Sequence, residues 1–547
     1  MRLPITLTLL TTLILSATRG QISVDVLPYS MLAGIDRSSV PDLPVSSLDA
    51  KAVADEDVQR AVDGKIPYYS RLVPVNADLY SSGLWRSLPN GDRLWRLRVV
   101  ATGAMATELY FDQFQLPEGA TLHVYDDDGA QILGAFTSYN NHESGLFTTA
   151  LVSGPVSTLE YYEPVAVAGE GSLRITHLGH AYRMVSGAKA DDCEVNVRCS
   201  PEGDDWTLQK NGVVRLSVVD PGGAGWCSGS VVDNTAHDLK PYILSAFHCG
   251  VNSTAANFLV WKAYFLYERT GCTTGSASAS KVMTGCVKRA DSNDGGGNSG
   301  SDFLLVEMNN PIPGNYFPYW NGWNASGTGS TGGVGIHHPA GSEKKISTFT
   351  VTTQSSAWGA TNTHWRVTWA STTNGWGVTE GGSSGSPLFN NAGLIIGTLT
   401  GGASYCNSVV PGANDDPDYY GKLSYHWDMN PGPASEYLGV WLDPVGGGST
   451  TTTGGSLGMV ENNLTPGPEL YPNPALDMFS VIYPDDVTTV DRIDVLDVSG
   501  RVVRSIVPMT RARADIATDG WAAGTYFVAL VADGVSHAGT QLTIVDR

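Results

Sequence analysis

A short turn rich in glycine and serine constrains the fold of this chain more than any other segment. It spans residues 380–387, Glu-Gly-Gly-Ser-Ser-Gly-Ser-Pro, with Ser384 near its centre. Glycine adopts backbone conformations that other residues avoid, so such a turn can aim two neighbouring N–H groups at one oxygen atom. Turns of this composition are also common in ordinary loops. The turn is therefore informative only through its partners elsewhere in the chain.

Two polar residues at the ends of apolar segments are candidate partners. His248 follows the mainly apolar run 243–247, and Asp302 precedes the apolar run 303–306. A serine hydroxyl is a weak nucleophile at neutral pH, so it needs an imidazole to take its proton and a carboxylate to orient that imidazole. Singly, a histidine is usually a satisfied polar residue and an aspartate at a strand end a cap. Together with Ser384 the two residues predict a catalytic triad.

The order His, Asp, Ser along the chain resembles that of the chymotrypsin-like serine proteases and differs from the orders of subtilisins and α/β-hydrolases. The resemblance implies a mainly β fold with a double β-barrel protease domain. It implies that the backbone N–H groups of Gly382 and Ser384 form the oxyanion hole. It also implies a disulfide between Cys227 and Cys249, beside the histidine.

Short segments between residues 193 and 445 carry a second resemblance. They are 193, 199–203, 301–303, 336–339, 343–347, 357–359, 382–387, 418–421 and 441–444. They resemble segments of the lysyl endopeptidases, secreted bacterial members of the trypsin-like group. In that family an aspartate after the nucleophile lies at the base of the specificity pocket and pairs with the substrate lysine.

Asp418 matches the position of that pocket aspartate. Trypsin instead carries its pocket aspartate at the position of Val378, which cannot bind a cation. Asp415 and Asp416 are rivals for the role, because the segment also has the composition of an acidic turn. The resemblance implies lysine as the preferred side chain, whereas the residues alone indicate only a basic one.

Two positions depart from the family patterns. Ser383 occupies the position where trypsin has the aspartate that pairs with a new N-terminus, so activation is expected through removal of a pro-region instead. In the strand expected to bind substrate backbone through Thr400 and Gly401, Thr400 replaces a histidine that in lysyl endopeptidases stacks on a tryptophan. Trp358 matches that tryptophan. The substitution is expected to leave the triad chemistry intact.

All seven cysteines lie between residues 193 and 406, and an odd number in an exported chain predicts disulfides with one thiol left over. The pairs that the resemblance implies are Cys227–Cys249, Cys193–Cys406 and Cys199–Cys272. Cys286 is then the odd one. No metal or cofactor is expected, because Cys-x-x-Cys is absent and His337 and His338 are adjacent. Residues 291–295 are interpreted as a polar loop, since the glutamate of a calcium loop does not follow.

Residues 1–20 have the features of a signal peptide: Arg2, an apolar run over 3–15 and small residues up to Gly20. The apolar run is too short for a membrane span, and no transmembrane segment is expected in the mature chain. The net charge of −21, from 54 acidic and 33 basic residues, argues against nucleic acid as a partner and suits cationic substrates.

Residues 21–189 form a first module without a catalytic constellation. Apolar and polar positions alternate in stretches such as 94–100, a pattern typical of a β-rich sandwich. Ahead of a protease, this module is expected to be a propeptide that binds the enzyme, and a binding module is the alternative. Lys189 is the expected self-cleavage site, with Arg183 as its competitor.

Residues 190–445 form the protease module, and residues 446–464 have the composition of a flexible linker. The tail, residues 465–547, resembles the C-terminal sorting domain of the type IX secretion pathway. The segments that carry this resemblance are 470–475, 495–503 and 524–530. It implies a β-sandwich recognised by the secretion machinery, in a protein released by or held on the surface of a Gram-negative bacterium. A carbohydrate-binding or adhesion sandwich is the alternative.

These features predict a secreted serine endopeptidase that cleaves protein and peptide substrates after basic residues, most of all lysine. The rival hypothesis is a non-catalytic adhesin or binding protein on a degenerate protease scaffold. The intact residues His248, Asp302 and Ser384 count against the rival.

Overall fold

The structure, a computed structural model, is mainly β, as predicted, and divides into two compact units, residues 1–454 and 455–547. The described residues are 26–36, 39–63, 65–183, 193–406, 416–456, 468–482, 490, 492–497, 502–507, 513–518, 520–532, 535–536 and 540–545. The predicted signal peptide, Lys189 and Asp415 lie outside them. None of the helices in the described part of the chain combines the length and apolar composition that a membrane span requires.

The helices in the described residues are short, and most contain a single turn. The α-helices are Tyr29–Leu32, Ala50–Val62, Gln209–Gly212, Ala255–Phe258, Leu423–Asp428 and Leu438–Leu442. The 3-10 turns are Ser138–Asn140, Val165–Val167, Asp204–Trp206, Phe247–Cys249, Gly314–Tyr316, Pro339–Gly341 and Ala434–Glu436. Ala50–Val62 begins at Asp49, whose carboxylate accepts the N–H groups of Lys51 and Ala52 at the helix start.

Two sheets build the N-terminal module. One contains Asp42–Pro44, Leu84–Ser87, Arg93–Val100, Thr121–Tyr125, Ile132–Phe136 and Val156–Glu163. The other contains Tyr68–Asp78, Ala106–Phe111, Phe147–Thr148, Val152–Ser153 and Arg174–Ala181. Leu97 and Val99 of the first sheet share one buried core with Leu109 and Phe111 of the second. Their alternate positions along each strand explain the pattern seen in the sequence, because successive strand residues face opposite sides.

Two barrel-like sheets of mostly antiparallel strands form the protease segment. The first contains Val213–Asp220, Gly223–Val231, Tyr242–Ser245, Lys262–Tyr264, Val282–Thr284, Cys286–Asp291 and Leu304–Met308. The second contains Val195–Asn196, Trp323–Asn324, Gly333–His337, Lys345–Phe349, Gln354–Ser356, His364–Val367, Pro387–Asn390, Ile395–Gly402, Asp418–Lys422 and Thr451–Thr452. Thr451–Thr452 lies in the segment with linker composition and pairs with Trp323–Asn324.

The two barrels share one core. Leu244 and Leu305 of the first pack in the same cluster as Ile336 and Phe389 of the second. Each of these four side chains is at most 1% exposed, so the barrels are held in a fixed relation. Loops from both barrels therefore meet at a rigid junction.

The N-terminal module joins the first barrel edge to edge. Strand Tyr68–Asp78 pairs antiparallel with Gly223–Val231, with Arg71 opposite Gly223. The Nζ of Lys262 lies 2.6 Å from Oε2 of Glu108, and both side chains are fully buried. Tyrosine hydroxyls of the module also donate to Glu108. A continuous sheet and a buried ion pair thus connect the two parts.

Replacing Glu108 with alanine is expected to lower the free energy of unfolding by about 3 to 5 kcal/mol, because Lys262 is left buried without its counter-ion. Urea unfolding of the full-length chain, in a Ser384→Ala background that prevents autolysis, measures the change. The control is Asp55→Ala, which removes an exposed pair with Lys51 and should cost less than about 1 kcal/mol. Equal losses in the two variants would contradict a stabilising role for the buried pair.

The C-terminal unit consists of two small sheets around its own core. One contains Glu469–Tyr471, Met478–Ile482 and Arg513–Ala517, and the other contains Arg492–Asp497, Val502–Ile506, Gly524–Ala532, Val535–Ser536 and Thr540–Ile544. Phe479 and Val481 of the first pack with Ile493 and Val495 of the second. The unit is a β-sandwich, as the tail resemblance implies.

Candidate active site

The imidazole and the carboxylate of the predicted triad are in hydrogen-bonding contact. Strand Tyr242–Ser245 pairs with Leu304–Met308, which brings the end of one beside the start of the other. The Nδ1 of His248 lies 2.6 Å from Oδ2 of Asp302, and the His248 N–H donates to Oδ1 over 2.9 Å. Because an ionised carboxylate only accepts, Nδ1 carries the proton of the neutral ring. Nε2 is then free of a proton, which a general base requires.

The charge of Asp302 governs the protonation of His248. Burial acts to lower the pKa of the imidazole, and the charge and hydrogen bond of Asp302, with a further contribution from Asp294, act to raise it. The net pKa of His248 lies above its ordinary value. The environment therefore stabilises the imidazolium that forms when the ring accepts a proton.

Ser384 lies in a turn whose shape depends on two glycines. Gly382 has φ of 105° and Gly385 has φ of 80°, in the region that favours glycine. The carbonyl group of Ser384 accepts the N–H of Ser228 over 2.8 Å. A Cβ atom on Gly385 would lie 2.1 Å from Oγ of Ser245. The turn that carries Ser384 in the second barrel thus packs directly against strands of the first.

Two backbone N–H groups of this turn are suited to bind an oxyanion. The N–H groups of Ser383 and Gly385 donate to carbonyl groups of the fold. No acceptor in residues 193–406 and 416–456 pairs with the N–H of Gly382 or Ser384. Both residues line the cleft that contains His248. The two N–H groups are therefore available to a substrate oxygen.

A buried hydrogen-bond chain holds the residue before Ser384. The Oγ of Ser383 lies 2.8 Å from Nδ1 of His337, and Nε2 of that ring lies 3.0 Å from Oγ of Ser347. Burial lowers the pKa of His337 to about 3, so the ring is neutral at physiological pH. A neutral chain thus supports the turn at the position where trypsin has a charged aspartate. The sequence, in which His337 and His338 are adjacent, did not indicate that His337 supports Ser383.

His248, Gly382 and Ser384 line one cleft of about 550 Å³. Trp358 and Thr400 of the second barrel line it too. The N-terminal module contributes Arg60, Asp63, Lys65, Ile66 and Pro67 to the same cleft. His248 and Ser384 therefore face a shared opening that residues of the N-terminal module also line, whereas Asp302 is buried behind His248.

Asp418 is fully buried, and the hydrogen bonds that it accepts from described residues come from neutral groups. Its Oδ2 accepts from Nε1 of Trp369 over 2.6 Å, from Oγ1 of Thr379 over 2.8 Å and from Oγ of Ser404 over 2.7 Å. Burial raises the pKa of the Asp418 carboxyl, and these hydrogen bonds oppose the rise. Its rival Asp416 is only half-buried.

The side chain of Asp418 lies beside the strand expected to bind substrate. Gly402 pairs with Asp418 across Ile395–Gly402 and Asp418–Lys422. A Cβ atom on Gly402 would lie 1.9 Å from Oδ1 of Asp418, so only glycine leaves room for the carboxylate. Thr400 falls at a register shift between Leu399 and Gly401, where a bulge turns a side chain out of the regular ladder.

His364 approaches Thr400 from strand His364–Val367, which is separated from Ile395–Gly402 by strand Asp418–Lys422. The Nε2 of His364 lies 2.9 Å from Oγ1 of Thr400, and its ring lies 6.2 Å from that of Trp358. Burial lowers the pKa of His364 to about 4, so this ring is neutral. The sequence indicated that Thr400 replaces a histidine of the related family. It did not indicate His364, because only strand pairing brings His364 close to Thr400.

The structure contains the three disulfides that the resemblance implies. They are Cys193–Cys406, Cys199–Cys272 and Cys227–Cys249. The last ties strand Gly223–Val231 to the turn that carries His248. Cys286 is a buried free thiol, and burial raises its pKa, which keeps it protonated and unreactive. Among the described residues, no group of His, Cys, Asp or Glu is arranged to hold a metal ion.

Comparisons with known proteins show which families the chain resembles. Residues 187–421 match the family model of the lysyl endopeptidase C-terminal domain, and residues 469–544 match that of the secretion system C-terminal sorting domain. A lysyl endopeptidase of Pseudomonas aeruginosa is 27% identical over 355 residues, which cover 60% of this chain and 73% of that protein.

Two solved structures are similar to part of the chain. The thermostable serine protease AL20 from an extremophilic microorganism is 13% identical, with a TM-score of 0.27, over 39% of this chain and 92% of that one. A Glu endopeptidase is 15% identical, with a TM-score of 0.26, over 43% of this chain and 92% of that one. TM-scores this low carry no weight for the fold, which the sheets above define. The chain is a serine endopeptidase in which residues 187–421 are similar to the C-terminal domain of lysyl endopeptidases and residues 469–544 to a secretion system C-terminal sorting domain.

Proposed function

We propose that this enzyme cleaves peptide bonds on the C-terminal side of lysine through His248, Asp302 and Ser384. Nε2 of His248 takes the hydroxyl proton as Oγ of Ser384 attacks the scissile carbonyl carbon. The oxyanion binds the N–H groups of Gly382 and Ser384. The imidazolium, stabilised by Asp302, then protonates the departing amine and leaves an acyl group on Ser384. Water, deprotonated by His248, releases the acid product and restores the enzyme.

The environment of Asp418 is the observation that supports a preference for lysine. Its carboxylate is 0% exposed and its contacts in the described residues, Trp369, Thr379 and Ser404, are all neutral. A buried charge without a counter-ion is costly unless a cation reaches it. A substrate side chain with a terminal ammonium supplies that cation in a charge-assisted contact. The position beside the substrate strand supports this role for Asp418.

A digest tests this function directly. Mature enzyme is incubated with a denatured protein, and the new peptide termini are identified by mass spectrometry. Termini that follow lysine support the proposal, and termini that follow arginine equally would restrict it to basic residues in general. An absence of new termini would favour the adhesin hypothesis.

We infer that the N-terminal module is the enzyme's propeptide and that it obstructs the cleft. Ile66 and Pro67 line the cleft next to the nucleophile turn. A Cβ atom on Gly225 would lie 2.9 Å from Cδ1 of Ile66, and one on Gly381 would lie 3.4 Å from Cγ of Pro67. The segment therefore occupies space on the side of the cleft next to the Cys227–Cys249 disulfide strand.

Arg60 holds this obstructing segment in place. Its guanidinium donates to the carbonyl of Ile66 over 3.0 Å and lies 3.7 Å from the carboxylate of Asp220. It also lies over the ring of Tyr68, 3.4 Å from the centroid, and the Tyr68 hydroxyl donates to Asp220. Both charged side chains are about nine-tenths buried, so the contact is well shielded from solvent. Loss of Arg60 should release the segment.

The obstruction predicts slow labelling of the unprocessed enzyme. In a full-length chain with Lys189→Gln, which removes the expected cleavage site, a bulky phosphonylating peptide should label Ser384 at least about tenfold more slowly than in the mature form, because it cannot enter the filled cleft. Arg60→Ala in the same chain should speed labelling. Val58→Ala, on the exposed side of the same helix, should not. Equal rates for the precursor and the mature form would contradict the obstruction.

The sorting domain marks the chain for secretion. We further propose that its β-sandwich is bound by the type IX secretion machinery of a Gram-negative bacterium and that the enzyme acts outside the cell or at its surface. Protein and peptide substrates with lysine residues are then its partners there.

A further inference from the structure

The polar loop before Asp302 contains a buried carboxylate that touches the triad backbone. Asp294 is 3% exposed, and its Oδ2 accepts the N–H of Asp302 over 2.8 Å. Its Oδ1 accepts the hydroxyl of Ser292 over 2.7 Å and the N–H groups of Gly296 and Gly297, each over 3.0 Å. One side chain therefore binds both the triad aspartate and the loop that follows Asp294.

The hydrogen bond to Asp302 supports an unusual backbone conformation. Asp302 has φ of 59°, in the left-handed region that residues other than glycine rarely adopt. That conformation directs its carboxylate toward both the N–H and the Nδ1 of His248. An acceptor on the Asp302 N–H holds the residue in this position.

The second contact of Asp294 shapes the loop against which His248 lies. Gly295, Gly296 and Gly297 have φ of 70°, 81° and 90°. A Cβ atom on Gly296 would lie 2.9 Å from Cβ of His248. The N–H groups that Asp294 accepts therefore fix the glycine loop at the distance that keeps His248 in place.

We propose that Asp294 is a positioning residue for the triad, acting through the Asp302 backbone and the glycine loop that supports His248. The inference rests on the proposed triad. No described hydrogen bond joins Asp294 to Ser384, so Asp294 acts on the reaction through Asp302, the glycine loop and the His248 ring.

The charge of Asp294 also affects the pKa of His248. Asp302 and Asp294 are the anionic groups that act on the His248 ring, and both favour its protonated form. Four other charged residues line the cleft. Asp220 ends strand Val213–Asp220 of the first barrel, and the N-terminal module contributes Arg60, Asp63 and Lys65. The three module residues are lost when the propeptide is removed. Since the base must be neutral, removing the Asp294 charge should move the acid limb of the pH profile to lower pH.

The test compares Asp294→Asn with two variants of the same region. Asp302→Asn tests the triad itself. Asp291→Asn is the matched control, because Asp291 is an equally buried acid of the same loop that contacts Asn293 and Lys288 but not Asp302. Each full-length chain is matured by immobilised wild-type enzyme, which is then removed. kcat, KM and the pH profile are measured with a lysyl peptide amide.

Asp294→Asn is expected to lower kcat by about 10- to 100-fold, as misplaced catalytic groups do, with KM within about twofold and a more acidic limb. Asp291→Asn should leave all three near wild type. If Asp302→Asn collapses kcat while Asp294→Asn behaves like Asp291→Asn, the positioning role is wrong and the triad stands. If Asp302→Asn retains activity, the proposed triad is wrong, and the positioning role of Asp294 is wrong with it. If Asp294→Asn does not fold, Ser292→Ala is used instead, because it removes the hydroxyl that donates to Asp294. A several-fold loss of kcat in Ser292→Ala then supports the positioning role of Asp294, and an unchanged kcat overturns it.

Discussion

Replacing Ser384 with alanine should lower kcat by about 10⁵-fold, since a triad nucleophile and its base act as a unit whose loss removes nearly all covalent catalysis. His248→Ala should cost about as much, and Asp302→Asn about 10⁴-fold because the imidazole then adopts the wrong tautomer. The short Nδ1 contact of 2.6 Å and the full burial of Asp302 are the reasons for that last value. The measurement is single-turnover hydrolysis of a lysyl substrate.

Ser383→Ala is the control for Ser384→Ala. It removes a hydroxyl bound to His337, one residue away, and keeps the nucleophile. Its activity should stay within about tenfold of wild type, because the nucleophile, its base and the carboxylate that orients the base are all retained. If Ser383→Ala is inactive and Ser384→Ala is active, the nucleophile has been assigned to the wrong residue.

Replacing Asp418 with asparagine should lower kcat/KM for lysyl substrates by about 10³-fold. Asparagine keeps the size of the side chain and loses the charge, so the substrate ammonium would enter a buried pocket without its counter-ion. Loss of one partner of such a pair costs about 3 to 5 kcal/mol, which at 1.4 kcal/mol per factor of ten corresponds to this ratio. Hydrolysis of substrates with a neutral side chain at that position should change far less.

Two controls separate the pocket from the triad. Asp416→Asn alters the half-buried acid two residues away and should keep normal lysyl hydrolysis. A small uncharged phosphonylating reagent should still label Ser384 in Asp418→Asn, since the triad is unchanged. Normal lysyl cleavage by the Asp418 variant would show that another acidic residue binds the substrate cation.

The fold class and the enzyme class were predictable from the sequence because short local patterns of residues indicate both of them. Alternating apolar positions such as Leu97 and Val99 indicate strands wherever one face is buried. The segments around His248 and Ser384 combine residue types that few folds bring together in this order. The tail sandwich was predictable for the same reason, from short motifs of its own.

The contacts that tune the site were not predictable, because strand pairing brings distant residues together. His364 reaches Thr400 only through the pairing of His364–Val367 with Asp418–Lys422, which in turn pairs with Ile395–Gly402. His337 supports Ser383 from a strand of the second barrel. Neither relation has a local sequence signal, since both depend on register across a sheet.

The sheet of the N-terminal module continues into the first barrel, a relation that no local pattern in the sequence indicates. Arg71 pairs with Gly223, and Glu108 pairs with Lys262, across more than a hundred residues of chain. An isolated acidic residue in a strand gives no sign of a buried partner so far away. The same long-range packing brings Ile66 and Pro67 to the cleft.

The most direct test of the triad is the site of covalent labelling by a small uncharged phosphonylating reagent in the mature enzyme. Peptide mass spectrometry is expected to find a single adduct, on Ser384, formed at a rate that falls with protonation of His248 and by orders of magnitude in His248→Ala. An adduct on another residue, or labelling of Ser384 at an unchanged rate without His248, would contradict the account.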